Sequence, residues 1–179
     1  MSPEQYTTDF VPIAECSCAK CVEARFYRAG GRWVRWILRR DLKQVLEIEQ
    51  LGFPEPWPLA EFLAAMKCAH TLGYVATSGR QESVDGFVIY EAHARCLRIV
   101  NLAVHPSCWR RGVASTLIGK LKAKLSPRKG RRRELRAVVV ESNLEAQKFF
   151  KSQGFRCEAI HDAVFDGGQS GYEFSFEVE

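Results

Sequence analysis

The residue pattern with the clearest chemical meaning is the segment NLAVHPSCWRRGVASTLI, residues 101–118. An apolar run enters His105, and the turn Arg110, Arg111, Gly112 then opens an amphipathic helix. The first N–H groups of a helix lack intrahelical partners, and with the positive end of the helix dipole they form an anion site. Gly112 stands alone and no Gly-Lys-Ser/Thr follows it, which excludes a P-loop and a dinucleotide fingerprint. A phosphate is the natural ligand; a glycine that only eases a tight turn is the alternative.

The spacing of apolar residues predicts the helices and strands that position this turn. Val113, Leu117, Leu121 and Leu125 recur every four residues and predict a helix that Pro127 ends. The run 135–140, LRAVVV, is typical of a central strand covered on both faces. Over the whole chain the pattern predicts the order arm, β, α, α, β, β, β, α, β, α, β, β, an α/β architecture without internal repeats.

Helix termini are predicted from capping residues. Asp41, with Gln44 three residues later, indicates the start of the first helix, and Ser142 with Glu145 indicates the start of the last one. Gly154 is expected to end that last helix as its C′ residue.

Length and composition bound the class of protein. With 179 residues and 46% apolar content, the chain is long enough for one domain and short for two. We divide it into an N-terminal cysteine-containing arm, 1–31, expected to be flexible, and a domain at 32–179. No apolar run reaches the roughly 20 residues that a membrane span needs, and the start MSPEQYTTDF lacks a secretion signal. We therefore expect a cytoplasmic protein without membrane partners.

Charge and cysteine content leave further possibilities open. The net charge of +5 favours anionic partners without choosing among them. Cys16, Cys18 and Cys21 are weak zinc candidates that lack a fourth ligand at finger spacing, so no metal site is predicted. The basic run 126–136 could contact RNA, an acidic peptide or a cofactor phosphate, but a solvated loop is the simpler interpretation and nucleic acid is not expected.

Three segments carry a resemblance to the GCN5-related N-acetyltransferase (GNAT) family. Residues 102–118 resemble that family's acetyl-CoA loop, and VESNLEAQKFFKSQGF, 140–155, resembles its Ser-Asn-x-x-Ala and Tyr-x-x-x-Gly-Phe segment. EIEQLGFPEPW, 47–57, is similar to a helix and loop of the RimI-like ribosomal-protein alanine N-acetyltransferase branch. The resemblance covers about 33–178 and implies a mixed, mostly antiparallel central sheet, flanked by helices, whose central strands splay to admit acetyl-CoA.

The same resemblance implies the residues that bind acetyl-CoA as cosubstrate. Backbone groups of the strand before His105 would contact the pantetheine arm and the thioester, and main-chain N–H groups of the turn would wrap the pyrophosphate. Asn143 would hydrogen-bond the pantetheine. The complete set is Leu102, Ala103, Val104, Trp109, Arg110, Arg111, Gly112, Val113, Ala114, Asn143 and Phe150.

The catalytic acid and base of the alanine N-acetyltransferase branch do not carry over. Val138 and Phe150 stand where that branch has a Glu base and a Tyr acid, and neither side chain can move a proton. The branch's paired Tyr residues near the peptide are Val164 and Phe165 here. Four candidates remain, each with a structural alternative: Glu141 (helix dipole), Glu49 (solvated helix face), His105 (turn cap) and Tyr172 (strand aromatic).

An enzyme without a strong base is better suited to α-amines. An α-amine with a pKa near 7.8 is neutral in roughly a tenth or more of molecules at pH 7, and a lysine amine in only about a few per ten thousand. We therefore expect acetyl transfer to a peptide or protein N-terminal amine, by direct attack in a ternary complex. Acetylation of a small amine and a non-catalytic CoA-binding regulatory module are the alternatives.

Overall fold

The computed structural model describes residues 27–29, 32–78 and 83–179. In this part, eight strands form one sheet in the order β1-β2-β3-β4-β5-β6-β8-β7, and four α-helices flank it. The strands are β1 (Tyr27–Ala29), β2 (Arg32–Trp36), β3 (Thr71–Thr77), β4 (Val84–Ala92), β5 (Cys96–Val104), β6 (Glu134–Val140), β7 (Arg156–His161) and β8 (Gly171–Glu177). The helices are α1 (Leu42–Gly52), α2 (Leu59–Lys67), α3 (Val113–Lys122) and α4 (Leu144–Ser152).

The predicted order of elements is confirmed from β2 onward, and the sheet begins earlier than expected. Strand β1 lies inside the segment 1–31 that we assigned to an arm, and it pairs with β2 through Tyr27 opposite Val34. Three residues are too few for an alternating pattern to show in the sequence. The three zinc candidates, Cys16, Cys18 and Cys21, lie outside the described residues.

Each face of the sheet has its own apolar core. On the α3 face, α3 and α4 bury residues such as Leu117 and Phe150 against Leu135 and Phe174. On the α1 face, α1 and α2 pack on β3, β4 and β5 around Phe62. No helix of the described residues lies over the α1 face of β6, where Arg136 is exposed and Val138 half-buried. The prediction that β6 is covered on both faces was therefore wrong, because the apolar residue at 138 faces a cleft.

The central parallel pair, β5 and β6, opens partway along the sheet. Its register ends at Ile99 opposite Ala137, whereas β5 continues to Val104 and β6 to Val140. A β-bulge precedes the opening, because Ile99 and Asn101 pair with consecutive residues of β4. The two strands therefore separate into a wedge-shaped gap, the splay that the resemblance implied.

Two of the three predicted helix termini differ in detail. The Asp41 carboxylate accepts hydrogen bonds from the Arg35 guanidinium at 2.6 and 2.8 Å and from the Leu38 N–H at 2.8 Å instead of capping α1. The Gln44 side chain accepts the Val84 N–H at 2.9 Å. The expected capping box is absent because both side chains have longer-range partners.

At α4 the cap lies one residue later than predicted. Asn143, not Ser142, accepts the Ala146 N–H at 3.0 Å with its side chain. Gly154 follows the helix with φ +80°, as predicted for a C′ glycine. None of the helices in the described part is both long and apolar enough to cross a bilayer.

Candidate active site

The anion-binding turn predicted from sequence has the required backbone. Arg110 and Gly112 adopt left-handed conformations, with φ of 59° and 77°, and Gly112 is the N-cap of α3. The first intrahelical bond runs from the Thr116 N–H to the Gly112 carbonyl, so the N–H groups of Val113 and Ala114 precede the ladder. A Cβ on Gly112 would meet open space, so within the protein it is φ, not crowding, that favours glycine here. The donors lie at the open end of the β5–β6 gap.

Two residues that the sequence analysis missed hold this turn. Arg32 on β2 donates to the Arg111 carbonyl at 2.7 Å and to the Asp85 carboxylate at 3.1 Å. Asp85 is 5% exposed, and the Cys108 thiol approaches its other oxygen at 3.6 Å. The three contacts join β2, β4 and the turn over long sequence separations, which is why no local motif indicated them.

The β5 edge offers main-chain groups at alternate residues only. The His105 N–H donates to the Asp85 carbonyl at 2.9 Å, and the same ladder pairs Ala103 with Phe87. Because hydrogen-bonded pairs alternate along an antiparallel ladder, the N–H and C=O of Ala103 face β4, whereas those of Leu102 and Val104 face the gap. The assignment of Ala103 main-chain groups to acetyl-CoA was therefore wrong. The register between β4 and β5 decides which residues turn their main-chain groups toward the gap, and the sequence does not reveal that register.

Trp109 covers the far end of this edge. Its indole Nε1–H donates to the Val104 carbonyl at 2.8 Å, while 57% of the residue remains exposed. The neighbouring Arg110 guanidinium lies 3.2 Å from Glu145 at the start of α4. The turn is thus tied to both sides of the gap.

Asn143 and Phe150, the two cofactor candidates on α4, have structural contacts of their own. The Asn143 side chain is occupied as the α4 cap described above and lies exposed at the helix start. Phe150 is 5% exposed and contacts the rings of Phe149, Phe155 and Phe174. Phe150 therefore belongs to the core of the α3 face.

Glu49 is the most deeply buried of the four catalytic candidates. It is 1% exposed, and its carboxylate accepts the Trp57 N–H at 3.0 Å and the Asn101 amide at 3.0 Å to each oxygen. Burial raises the pKa of Glu49, and the hydrogen bonds from Trp57 and Asn101 oppose part of that rise. The carboxylate joins α1, the loop before α2 and the bulged part of β5. The structural alternative named for Glu49, a solvated helix face, was therefore wrong.

The other three candidates also have structural partners. His105 Nδ1 accepts the Ser107 N–H at 3.2 Å and caps the short turn that follows β5. Glu141 accepts the Ser170 N–H at 3.2 Å and fixes the entry to β8. Tyr172 packs half-buried on the α3 face, opposite Val139.

The floor of the gap on the α1 face is apolar around Val138. A Cβ on Gly171 would come within 2.9 Å or less of Val138, Val164 and Phe165, so these three side chains converge over the glycine. Val164 and Phe165 are 51% and 37% exposed. The positions that carry a base and two tyrosines in the resembled branch form a hydrophobic rim in this protein.

These features fit acetyl-CoA by their chemistry. Unpaired N–H donors and two exposed arginines at the start of α3 suit a diphosphate. The N–H groups of Leu102 and Val104 and the Leu102 carbonyl suit the amides of a pantetheine arm, which would lie along β5 as an additional strand. The Val104 carbonyl already accepts the Trp109 indole N–H. The sheet, the gap and the anion site together define the class of acetyl-CoA-binding transferases.

Comparison with known families and structures agrees with this class. Residues 42–155 match the Acetyltransferase (GNAT) family, and the chain belongs to that family. It is an acetyl-CoA-dependent N-acetyltransferase. No curated protein matches the chain by sequence.

Several solved structures share the fold at low identity. The ribosomal-protein-S18-alanine N-acetyltransferase from Escherichia coli has a TM-score of 0.71 at 22% identity, covering 83% of this chain and 94% of its own. NAA60 from Arabidopsis thaliana in complex with acetyl-CoA has a TM-score of 0.70 at 20% identity, covering 82% and 98%. Ard1 from Thermoplasma volcanium has a TM-score of 0.70 at 23% identity, covering 83% and 99%.

Proposed function

We propose that this protein transfers the acetyl group of acetyl-CoA to the α-amine of a peptide or protein N terminus, by direct attack in a ternary complex. The observation that carries the proposal is the shape of the gap on the α1 face. The gap opens between β5 and β6 beside the loop that contains Trp57, with Val164 and Phe165 on the opposite side. An extended peptide with an apolar first side chain fits such an entrance.

The groups around the gap can orient the two reactants and donate hydrogen bonds to the oxyanion that develops. The N–H groups of Leu102 and Val104 face the gap and are suited to hydrogen-bond the developing oxyanion. Orientation alone contributes up to about 7 to 11 kcal/mol in favourable cases. An amine that is already partly neutral at pH 7 has the least need of a base to remove its proton, and this favours α-amines over the lysine amine. The E. coli ribosomal-protein-S18-alanine N-acetyltransferase, similar in fold, acts on an alanine of a protein.

The test is acetyl-CoA-dependent CoA release, with mass spectrometry of the products, in three substrate pools. The pools are peptides with free N termini, lysine peptides with blocked N termini, and small amines. We expect acetyl on α-amines of the first pool. Transfer confined to small amines would overturn the peptide acceptor and leave the acetyltransferase activity standing.

A non-catalytic CoA-binding module is the second candidate, favoured by the apolar residues Val138 and Phe150. That function requires tight acetyl-CoA binding by calorimetry with no CoA release in any pool. In that case Val138→Glu is the next protein to assay, since it returns a carboxylate to the position of the base in the resembled branch, on the α1 face beside the gap.

A further inference from the structure

A guanidinium from a distant strand supports the turn at the start of α3. Arg32 lies on β2, three strands away from β5 in the sheet. One of its terminal nitrogens donates to the Arg111 carbonyl at 2.7 Å, and its Nε donates to the Asp85 carboxylate at 3.1 Å. The side chain of Arg32 is 15% exposed and that of Asp85 6%. The guanidinium is therefore fixed at two points, one of which is the main chain of the anion-binding turn.

The hydrogen bond to the Arg111 carbonyl fixes the direction of an N–H group in this turn. Arg111 and Gly112 share one peptide unit, and the described part of the chain contains no cis peptide bond. In a planar trans peptide the C=O and the N–H point in opposite directions. Because Arg32 holds the Arg111 carbonyl, the Gly112 N–H points away from Arg32. It is the donor next in sequence to the N–H groups of Val113 and Ala114, which precede the helical ladder.

The turn needs such support because its backbone conformation is unfavourable. Arg110 and Gly112, on either side of Arg111, have φ of 59° and 77°. A residue with a Cβ adopts the left-handed conformation only at a cost in energy, and it stays there where surrounding contacts hold it. Arg110 also pairs with Glu145, but both side chains are largely exposed, and exposed ion pairs stabilise little. The mostly buried Arg32 is the better shielded of the two supports.

Asp85 anchors both the guanidinium and the chain that leaves β5. Its carboxylate accepts from Arg32, and its main-chain carbonyl accepts the His105 N–H at 2.9 Å. A buried carboxylate beside an anion site repels the anion by its charge. Whatever Asp85 contributes to binding a diphosphate must therefore come from the position that it gives to Arg32.

We propose that Arg32 and Asp85 are positioning residues for acetyl-CoA binding. Asp85 orients the Arg32 guanidinium, and Arg32 holds the peptide unit between Arg111 and Gly112 with its N–H directed at the pyrophosphate. Arg32 precedes the segment 42–155 that matches the family, so the family match does not cover it. The inference rests on the dependence on acetyl-CoA and is independent of which amine accepts the acetyl group.

The first test measures acetyl-CoA binding and steady-state kinetics of Arg32→Ala. We expect the Kd from calorimetry and the KM for acetyl-CoA to rise about tenfold, the value of one hydrogen bond to a charged group. The kcat at saturating acetyl-CoA should stay at the wild-type value, because Arg32 contacts no reacting atom. A wild-type Kd in this variant would overturn the proposal.

Salt separates positioning from a long-range attraction between Arg32 and the phosphates. Salt screens the attraction between charges that are not in contact, whereas it leaves the orientation of a peptide unit unchanged. The ratio of the Kd of Arg32→Ala to that of wild type should therefore be the same at about 50 mM and about 500 mM salt. A ratio that falls toward one at the higher salt would overturn the positioning role.

In Asp85→Asn, charge and positioning predict effects of opposite sign on acetyl-CoA binding. If only charge matters, removing a carboxylate beside an anion site tightens binding. Positioning predicts weaker binding, because the guanidinium loses the partner that orients it. The double variant Arg32→Ala, Asp85→Asn should bind no more weakly than Arg32→Ala, since Asp85 acts through Arg32. Tighter binding by Asp85→Asn, or losses that add in the double variant, would contradict the proposal.

Arg133 provides the matched control, because it also bridges a carboxylate and a main-chain carbonyl. Its guanidinium lies 3.4 Å from Glu177 and donates to the Val178 carbonyl at 3.4 Å, just before the part of β6 that stays paired with β5. Arg133→Ala removes the same charge and should keep the wild-type Kd for acetyl-CoA; an equal rise in Kd would overturn the proposal. Urea unfolding shows that each variant is folded. Wild-type protein that binds acetyl-CoA but acetylates no pool would overturn the proposed function instead.

Discussion

Glu49 on α1 and Asn101 on β5 are joined by a buried amide–carboxylate contact in which Asn101 Nδ2 lies 3.0 Å from both carboxylate oxygens. Among the described residues, no group lies within hydrogen-bond distance of the Asn101 Oδ1 atom, which is buried. The contact lies directly after the β-bulge, so it braces the strand at the point where the sheet opens. Glu49 is therefore a structural group of the gap.

We predict that Glu49→Gln gains stability relative to wild type as pH rises. The folded pKa of Glu49 is raised by burial, so its contribution to stability is complete below its ordinary pKa and is lost as pH rises through the raised value. Glutamine carries no charge, and its amide can donate to the unpartnered Asn101 oxygen. Urea unfolding at about pH 4 and about pH 8 measures the difference.

The neighbouring Glu47 provides the control, because it is exposed on the same helix. Glu47→Gln should show no such pH-dependent difference. Glu49→Ala should cost about 2 kcal/mol, since the Trp57 N–H and the Asn101 amide lose their acceptor. A large fall of kcat in Glu49→Gln with intact folding would contradict the structural role and return Glu49 to the list of bases.

The variant Gly112→Ala should lose both stability, through backbone strain, and affinity for CoA, through its effect on the anion site. With φ at +77° the alanine variant should lose about 1 kcal/mol of stability, although its Cβ meets no protein atom. Affinity for CoA should fall about tenfold or more, because the methyl group would stand over the N–H donors of α3. Calorimetry with CoA and urea unfolding give the two numbers.

Gly130→Ala is the matched control, with φ +78° and equally open space in the loop before β6. It should lose a similar amount of stability and keep the wild-type affinity for CoA. Equal losses of affinity in both variants would show that general strain, not the position of Gly112, governs binding.

The parts of the site that the sequence predicted are those fixed by local backbone chemistry. The Gly112 turn and the Gly154 terminus depend on φ values that few residues adopt, so the residue type itself indicates the conformation. The choice between Ser142 and Asn143 as cap was missed by one residue, because both types cap helices well.

What the sequence could not predict depends on register and long-range contact. The Arg32–Asp85 pair is separated by 53 residues, and the Glu49–Asn101 contact by 52. Strand pairing decides that the main-chain groups of Leu102 face the gap and those of Ala103 do not. Strand pairing also brings His161 beside Glu173. No periodicity within one segment contains that information, because it arises only when strands pair.

Phe150→Tyr should destabilise the protein by about 2 kcal/mol, because its hydroxyl would enter an apolar cluster without a hydrogen-bond partner. Phe150 packs against three phenylalanine rings and is 5% exposed. Urea unfolding measures the cost, and Phe149→Tyr, at a half-buried position, should cost much less. Unchanged stability together with an altered kcat would show instead that the new hydroxyl reaches the gap, as the Tyr of the resembled branch does.

At Asp41, a role as helix cap and a role in a buried ion pair predict different effects of the same substitution. Asp41 is 3% exposed, and its carboxylate holds both Arg35 and the Leu38 N–H. Serine caps a helix about as well as aspartate. If capping were the role of Asp41, Asp41→Ser would therefore be nearly neutral. The ion pair instead predicts a loss of about 3 kcal/mol or more, because Arg35 would keep a buried charge without its partner.

Asn143→Ser provides the comparison at a true cap. Asn143 accepts the Ala146 N–H and has no buried charge to balance, so its serine variant should stay within about 0.5 kcal/mol of wild type. Urea unfolding of both variants at neutral pH makes the test. Equal small losses would contradict the ion-pair role. A large loss confined to Asp41→Ser would show that the contact with Arg35 anchors the start of α1 to β2, and with it the helix that carries Glu49 to the gap.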